Sequence, residues 1–469
     1  MMSAPFIWII LPFLVSIALV FARKNYQMAA LIQTVFCLLL VFLLLVVHFG
    51  EFDSAQGLSI NLESTFNFLG RSFEFNNSDK FIIGIFYTVL AAWSGTLLIN
   101  NKQSKIIPLG LTLTSLLLAA NAVEPFLYSA LLIEVAVIIG SMIAVDLNTG
   151  KSKGIIRALI FFTLGVPFIL LAGWYLAGGE TSPVNDTQLI QATVLLGFGF
   201  VFWLGIFPFH SWIPLIAEES EIPDGLYILA ILPFAIFIIL LKYLNGFVWL
   251  RDYDLVYQAL LLFGLVMTFT GAIWATFQTQ VKKLIGYLTI TYSGLLLIAL
   301  GLNSNQGFQN FAELLLPRFV SLFLLMAAFL VIEKKNEIEN TSDLESLFYR
   351  FPIASLAILI ALFSITGMPL TVGFLPVQSL YQETAKNSTV ITGLIIGSNA
   401  LLSISFLRIF MVIMQPLADE FDSVSILDDI KENKFLAAVL VVTVLAGLIP
   451  NMIFPSFNQI LKSFEFLVR

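Results

Sequence analysis

Apolar runs, each close to the length that crosses a bilayer, recur along almost the whole of this sequence. About 20 consecutive apolar residues in a helix span a hydrocarbon core. Fourteen such runs fall at 4–21, 28–48, 81–99, 106–122, 126–145, 155–177, 190–210, 225–243, 256–277, 284–302, 311–332, 353–380, 390–414 and 435–455. The longest polar connections are 49–80 and 415–434. In lipid, each backbone N–H and C=O needs a partner within the protein, which favours helices for runs of this length. The expectation is an all-α integral membrane protein of about 14 transmembrane helices. It forms one polytopic domain over 1–469, with a core at about 106–414 between N-terminal helices in 1–105 and a last loop and helix in 415–469.

Composition separates this reading from a large soluble core. Hydrophobic residues make up 59% of the chain and charged residues 11%, against about 45–50% and 25% in soluble domains. Water is a poor solvent for such a surface; lipid is the expected one. The net charge of −7 argues against a nucleic-acid partner. Cys37 is the sole cysteine, so an internal disulfide, a thiolate metal site or a cluster set is not expected. With His48 and His210 the only histidines, a haem-binding membrane cytochrome is not expected either. No nucleotide loop, nucleophile set or metal-ligand cluster stands out. The expectation is therefore no cofactor, no metal and no catalytic residue.

Pro5–Phe21 is apolar, is followed by Arg23-Lys24 and shows no small-residue cleavage site. It reads as a retained first helix. With the N-terminus outward, fourteen Lys/Arg fall in inner loops and seven in outer segments. Arg23, Lys24, Lys151, Lys153, Arg157, Lys282, Lys283, Lys334 and Lys335 are among the inner set. The bias places both termini on the outer, periplasmic side of the inner (plasma) membrane.

Two runs contain helix breakers at membrane depth. Run seven leads into Phe207-Pro208-Phe209-His210-Ser211-Trp212-Ile213-Pro214, and run twelve contains Gly367-Met368-Pro369 followed by Gly373-Phe374. Proline removes a donor and disrupts the preceding turn. Broken backbone inside a membrane survives where protein or a wet cavity satisfies it. A pair of breaks five runs apart predicts two related halves, as in many transporters; prolines that merely kink packed helices would leave the same signature.

Pro208–Pro214 resembles the Pro-Phe-His-x-Trp-Leu-Pro segment of one family, the antiporter-like membrane subunits of respiratory complex I, Mrp antiporters and membrane-bound hydrogenases. Four more stretches are similar to that family in order: Gln278–Tyr287, Asp343-Leu344 with Leu347 and Pro352, Gly367–Phe374, and Ser405–Arg408. The chain is identified as a divergent member, with the Leu407-Arg408 ending most like the N-type (ND-two-like) subunit. The resemblance implies two inverted five-helix repeats with broken helices 7 and 12, and a place among other membrane subunits of a redox or antiporter complex.

It also implies an interior row of ionisable residues for proton movement. Glu134 in run five matches the family's helix-five Glu. The helix-seven Lys falls on Trp203, the helix-eight Lys on Pro233 or Phe234, the polar residue of helix ten on Tyr292, and the helix-twelve charge on Val377. The Asp after the second proline is Leu215. None of the replacements exchanges a proton near neutral pH, so the relay reads as mostly lost. Glu134, His210 and Arg318 remain as proton or ion pathway candidates. Glu134 reads as a proton-binding carboxylate or the partner of a neighbouring subunit's cation, against a protonated, hydrogen-bonded packing residue. His210 titrates near neutral pH or packs the break. Arg318 keeps its proton, so it reads as a countercharge to Glu134 or Glu313 or a barrier, against snorkelling to the interface. The run Glu218, Glu219, Glu221, Asp224 reads as a solvated loop or a cation-attracting entrance.

Three functions follow. The chain is a non-catalytic membrane-arm subunit of an NADH–quinone oxidoreductase-like complex that conducts protons weakly or by an altered route; or it still translocates H⁺ or Na⁺; or it is a stand-alone secondary transporter of a small solute or inorganic ion.

Overall fold

The computed structural model describes residues 3–21, 25–50, 60–68, 70–146, 150–177, 186–334, 338–416, 424–450 and 453–467. Arg23, Lys24, Lys335 and Arg469, which enter the charge count above, lie outside them. The chain is a bundle of apolar helices. A π turn, Phe6–Ile10, leads into α1 (Leu11–Phe21), and α2 (Tyr26–Val46), α3 (Lys80–Asn100), α4 (Ile106–Ala122), α5 (Ser129–Ala144) and α6 (Lys153–Ala177) follow. Next come α7 (Asp186–Leu204), α8 (Trp212–Glu219), α9 (Ile222–Gly246), the single turn α10 (Val248–Arg251), α11 (Asp254–Phe277), α12 (Val281–Gly301) and α13 (Asn305–Ile332). The last are α14 (Leu347–Arg350), α15 (Pro352–Ile365), α16 (Phe374–Asn387), α17 (Thr389–Ile413), α18 (Ile426–Glu432), α19 (Lys434–Leu448) and α20 (Phe454–Phe457). Among the described residues nine helical segments are long and apolar enough to span a bilayer, and five more apolar helices have 10–17 residues.

The burial pattern is that of a membrane bundle. The spanning part of α9 is wholly buried and α12 and α13 are nearly so, whereas α2, α6, α11 and α17 keep much of their apolar surface outward. Phe42, Leu45, Trp174, Leu262, Phe269 and Met411 are among the large exposed side chains. Small residues let α11 and α12 approach closely, since a Cβ on Gly264 would meet the backbone of Gly294 and Ile298, and one on Gly301 would meet Leu261.

The 49–80 connection holds structure that its polarity does not announce. Strand β1 (Val47–Phe49) pairs parallel with β2 (Ile60–Leu62), and β3 (Thr65–Phe68) pairs antiparallel with β4 (Arg71–Glu74), whose other edge takes β5 (Val123–Glu124). Gly70, at φ +73°, supplies the left-handed residue that closes this hairpin.

Both proline-bearing runs are interrupted, and the two interruptions are built alike. After α7, Gly205 adopts φ +65°; its N–H donates to Phe202 O (3.3 Å) and that of Ile206 to Val201 O (3.0 Å). After α15, Gly367 adopts φ +70°; its N–H donates to Ser364 O (3.2 Å) and that of Met368 to Phe363 O (3.1 Å). Each is a Schellman close, two reversed bonds that satisfy the last carbonyls of a helix. The chain then re-enters helix at α8 and at α16. This shared construction fits two related halves and goes beyond a simple kink.

Candidate functional site

The interior is assembled around α9, α12 and α13. Pro233 sits inside α9 and has no N–H to offer the carbonyl four residues earlier. That carbonyl, Leu229 O, accepts from Nη2 of Arg318 at 3.0 Å, and Nη1 of Arg318 donates to Ser293 Oγ of α12 at 2.9 Å. Arg318 is 3% exposed. Tyr292 is buried beside it. Phe234 lies next to Pro233, its ring 5.0 Å from Phe86 and 5.2 Å from Phe319. Pro233, Phe234, Tyr292 and the buried Arg318 therefore meet in one place.

This geometry corrects two expectations for Arg318. It does not snorkel, and among the described residues no carboxylate pairs with it. Glu134 accepts instead from Thr163 Oγ1 on α6 (2.5 Å), and Glu313 accepts from Asn458 Nδ2 (3.2 Å).

Helix α6 divides Glu134 from Trp203. The buried indole of Trp203 donates to Phe162 O at 3.2 Å and stacks against the Phe162 ring. The next residue, Thr163, is the donor to Glu134. Trp203 thus consumes a backbone acceptor of α6, and its bulk is admitted by Gly165, whose hydrogen faces the indole. Glu134 is half-buried on the α5–α6 flank, and its Oε2 has no hydrogen-bond partner among the described residues.

His210 belongs to the short turn Phe209–Ser211 in the first break. Its ring stacks on Phe207 at 5.6 Å and lies 6.4 Å from Tyr287. Pro208 is exposed, whereas Pro214 is buried against Gly286 of α12. At the second break Pro369 is exposed and Gly373 buried, with the Gly373 N–H donating to Ser364 Oγ (3.1 Å). Val377 is fully buried and packs over the Gly367 backbone.

The acidic run is neither a solvated loop nor an open entrance. Glu218 pairs with Lys283 of α12 (3.1 Å), and Glu221 with Lys102 (3.2 Å). Glu219, 5% exposed, accepts from the Gly154 N–H at the start of α6 (2.7 Å). Asp224, 2% exposed, accepts from Ser104 Oγ. The four carboxylates fasten α8 and α9 to three other segments. Their partners are far away in sequence, which is why the run alone could not reveal them.

One polar track escaped the sequence reading altogether. At the α13–α16 contact, Glu383 joins Ser304 (2.9 Å) to Lys386 (2.7 Å), and Asn310 accepts from Gln306 (3.2 Å) and Ser379 (2.6 Å). Asn310 is fully buried. Its place just before run eleven gave no sign of burial.

Residues 175–403 match the transmembrane family described as NADH:quinone oxidoreductase/Mrp antiporter. NADH-quinone oxidoreductase subunit N 1 of Herpetosiphon aurantiacus is 29% identical over 333 residues, 63% of this chain and 66% of that one. The chain is similar in sequence to the antiporter-like membrane subunits of such complexes. The fold agrees: this chain superposes with TM-score 0.80 on a chain of the Mrp complex from Dietzia sp. DQ12-45-1b, at 14% identity, covering 100% of this chain and 99% of that one. A chain of respiratory complex I from Thermus thermophilus gives TM-score 0.71 at 18% identity, covering 95% and 98%. The chain spans 66%, 59% and 51% of the length of three curated relatives it matches.

Proposed function

We propose that this chain is a membrane-arm subunit of a proton- or cation-translocating respiratory assembly of the NADH–quinone oxidoreductase type, and that its own interior conducts protons weakly or by an altered route. One observation supports the reading: the buried cation Arg318 is spent on the Leu229 carbonyl, and Trp203, Pro233, Phe234, Tyr292 and Val377, the positions that the resemblance matches to relay residues, are buried. An arginine keeps its proton, and a tyrosine releases one only near pH 10. Trp203 and Phe234 also fill space that water would need.

Glu134 is the exception. Its place on the α5–α6 flank, with one oxygen unclaimed among the described residues, suits a carboxylate that faces a neighbouring subunit's cation. The names carried by the relatives, subunit N and NADH-ubiquinone oxidoreductase chain 2, support a multisubunit setting in the inner membrane. The positive-charge bias supports both termini lying on its outer side.

Affinity purification of the native assembly tests the first half. Quinone-reductase, hydrogenase or antiporter subunits are expected to accompany the chain; a lone protein would overturn the proposal in favour of a stand-alone transporter. Glu134→Gln, assayed for proton translocation in sealed vesicles, tests the second half. Unchanged translocation is expected, and collapse would make Glu134 a conductor.

A further inference from the structure

A crevice of about 630 Å³ opens between α2, α3, α13 and the C-terminal turns 454–463, within the range of about 300–1,000 Å³ typical of small-molecule sites. Its lining is sharply divided. Apart from Thr88, each polar lining residue belongs to 77–80 or 459–462, and the rest is aliphatic and aromatic surface such as Leu44, Ile85, Val320 and Phe323. Lys80 and Lys462 both line the polar end, with Asn77, Ser78 and Gln459, and no acidic side chain lines any part of it. The nearby carboxylate of Asp79 is turned into its own loop, accepting from the Asn76 N–H at 2.9 Å. The depth also fits a known object. Along α3 the crevice runs from Lys80 to Trp93, about 20 Å of helix at about 1.5 Å per residue, comparable with one leaflet of a hydrocarbon core about 30 Å thick.

We infer that this crevice holds a single anionic phospholipid, with acyl chain along α3 and phosphate between Lys80 and Lys462. An apolar slot alone would accept any tail. Two lysines and no carboxylate in the lining select the headgroup, the Lys80 ammonium lying 3.1 Å from Nδ1 of the exposed His48, since basic residues at a membrane surface favour anionic lipids. Such a lipid fills the gap between the N-terminal helices and α13, so that they pack through it.

Native mass spectrometry of the detergent-purified full chain with dioleoylphosphatidylglycerol or dioleoylphosphatidylcholine tests this. One bound lipid is expected, with the glycerol headgroup preferred by on the order of twentyfold, about fivefold per lysine. Lys80→Gln with Lys462→Gln should abolish the preference and leave tail binding. Val320→Trp, which fills the slot, should weaken both lipids. Equal affinity for the two lipids in the unaltered chain, or a preference that survives loss of both lysines, would overturn the inference. So would a photo-cross-linker at position 320 that joins another polypeptide in native membranes, which would make a subunit helix the occupant.

Discussion

Arg318 donates to the carbonyl of Leu229, the group that Pro233 leaves without a helical partner. A proline kink and a buried charge, each costly alone, thus answer one another across the α9–α13 contact. Arg318→Gln should lower stability by about 1–3 kcal/mol, the penalty for a buried group left unpaired. Pro233→Ala restores an N–H to the Leu229 carbonyl, so the two changes should couple by about 0.5–3 kcal/mol. Thermal unfolding of the four combinations in detergent reads the coupling; simple additivity would show that the carbonyl is not the shared group.

Both breaks should resist the same substitution, since a Cβ at Gly205 would meet Trp212 Nε1 at 2.9 Å and Ile213 Cδ1 at 3.0 Å, and one at Gly367 would meet Val377. Gly205→Ala and Gly367→Ala each place a side chain in the left-handed region, at about 1–2 kcal/mol. A Cβ at Gly367 also meets Val377, at 2.7 Å from its Cβ, so Gly367→Ala should cost more than strain alone. Val377→Ala should recover the excess and leave the strain, as measured by melting of the double variant.

The acidic fastening divides into a wet rim and a dry centre. Glu218→Gln and Glu221→Gln remove partly exposed pairs and should cost less than about 1 kcal/mol, with the loss shrinking further in salt. Asp224→Ala and Glu219→Ala remove buried hydrogen-bond acceptors and should cost about 1–3 kcal/mol each. Melting temperatures at low and high salt separate the two classes.

Asp343 lies in the connection after α13, where the N–H groups of Asn340 and Glu339 donate to its carboxylate (2.8 and 3.0 Å). These bonds hold its pKa below the ordinary carboxylate value. A depressed folded pKa means the stabilisation is present above the unfolded value and is lost as pH falls through the folded one. Side-chain exposure keeps the effect local. Hydrogen exchange at Asn340 and Glu339, corrected for its intrinsic pH dependence, should accelerate only in acid. Asp343→Asn should remove that acid-dependent step.

The sequence by itself determined the solvent and the elements. Runs of apolar residues with so few charges have no stable home in water, and backbone hydrogen bonding in lipid makes them helices. Pro208, Pro214, Gly367 and Pro369 marked both interruptions, because breakers act on their own turn of chain. The hairpin at 65–74 was within reach through Gly70. Tertiary structure decided who satisfies whom. Arg318 could not be assigned to the Leu229 carbonyl, nor Glu219 to Gly154, from spacing along the chain, since those partners are separated by 89 and 65 residues. Buried charges take whichever polar group the packing leaves open, and only the assembled helices fix which group that is.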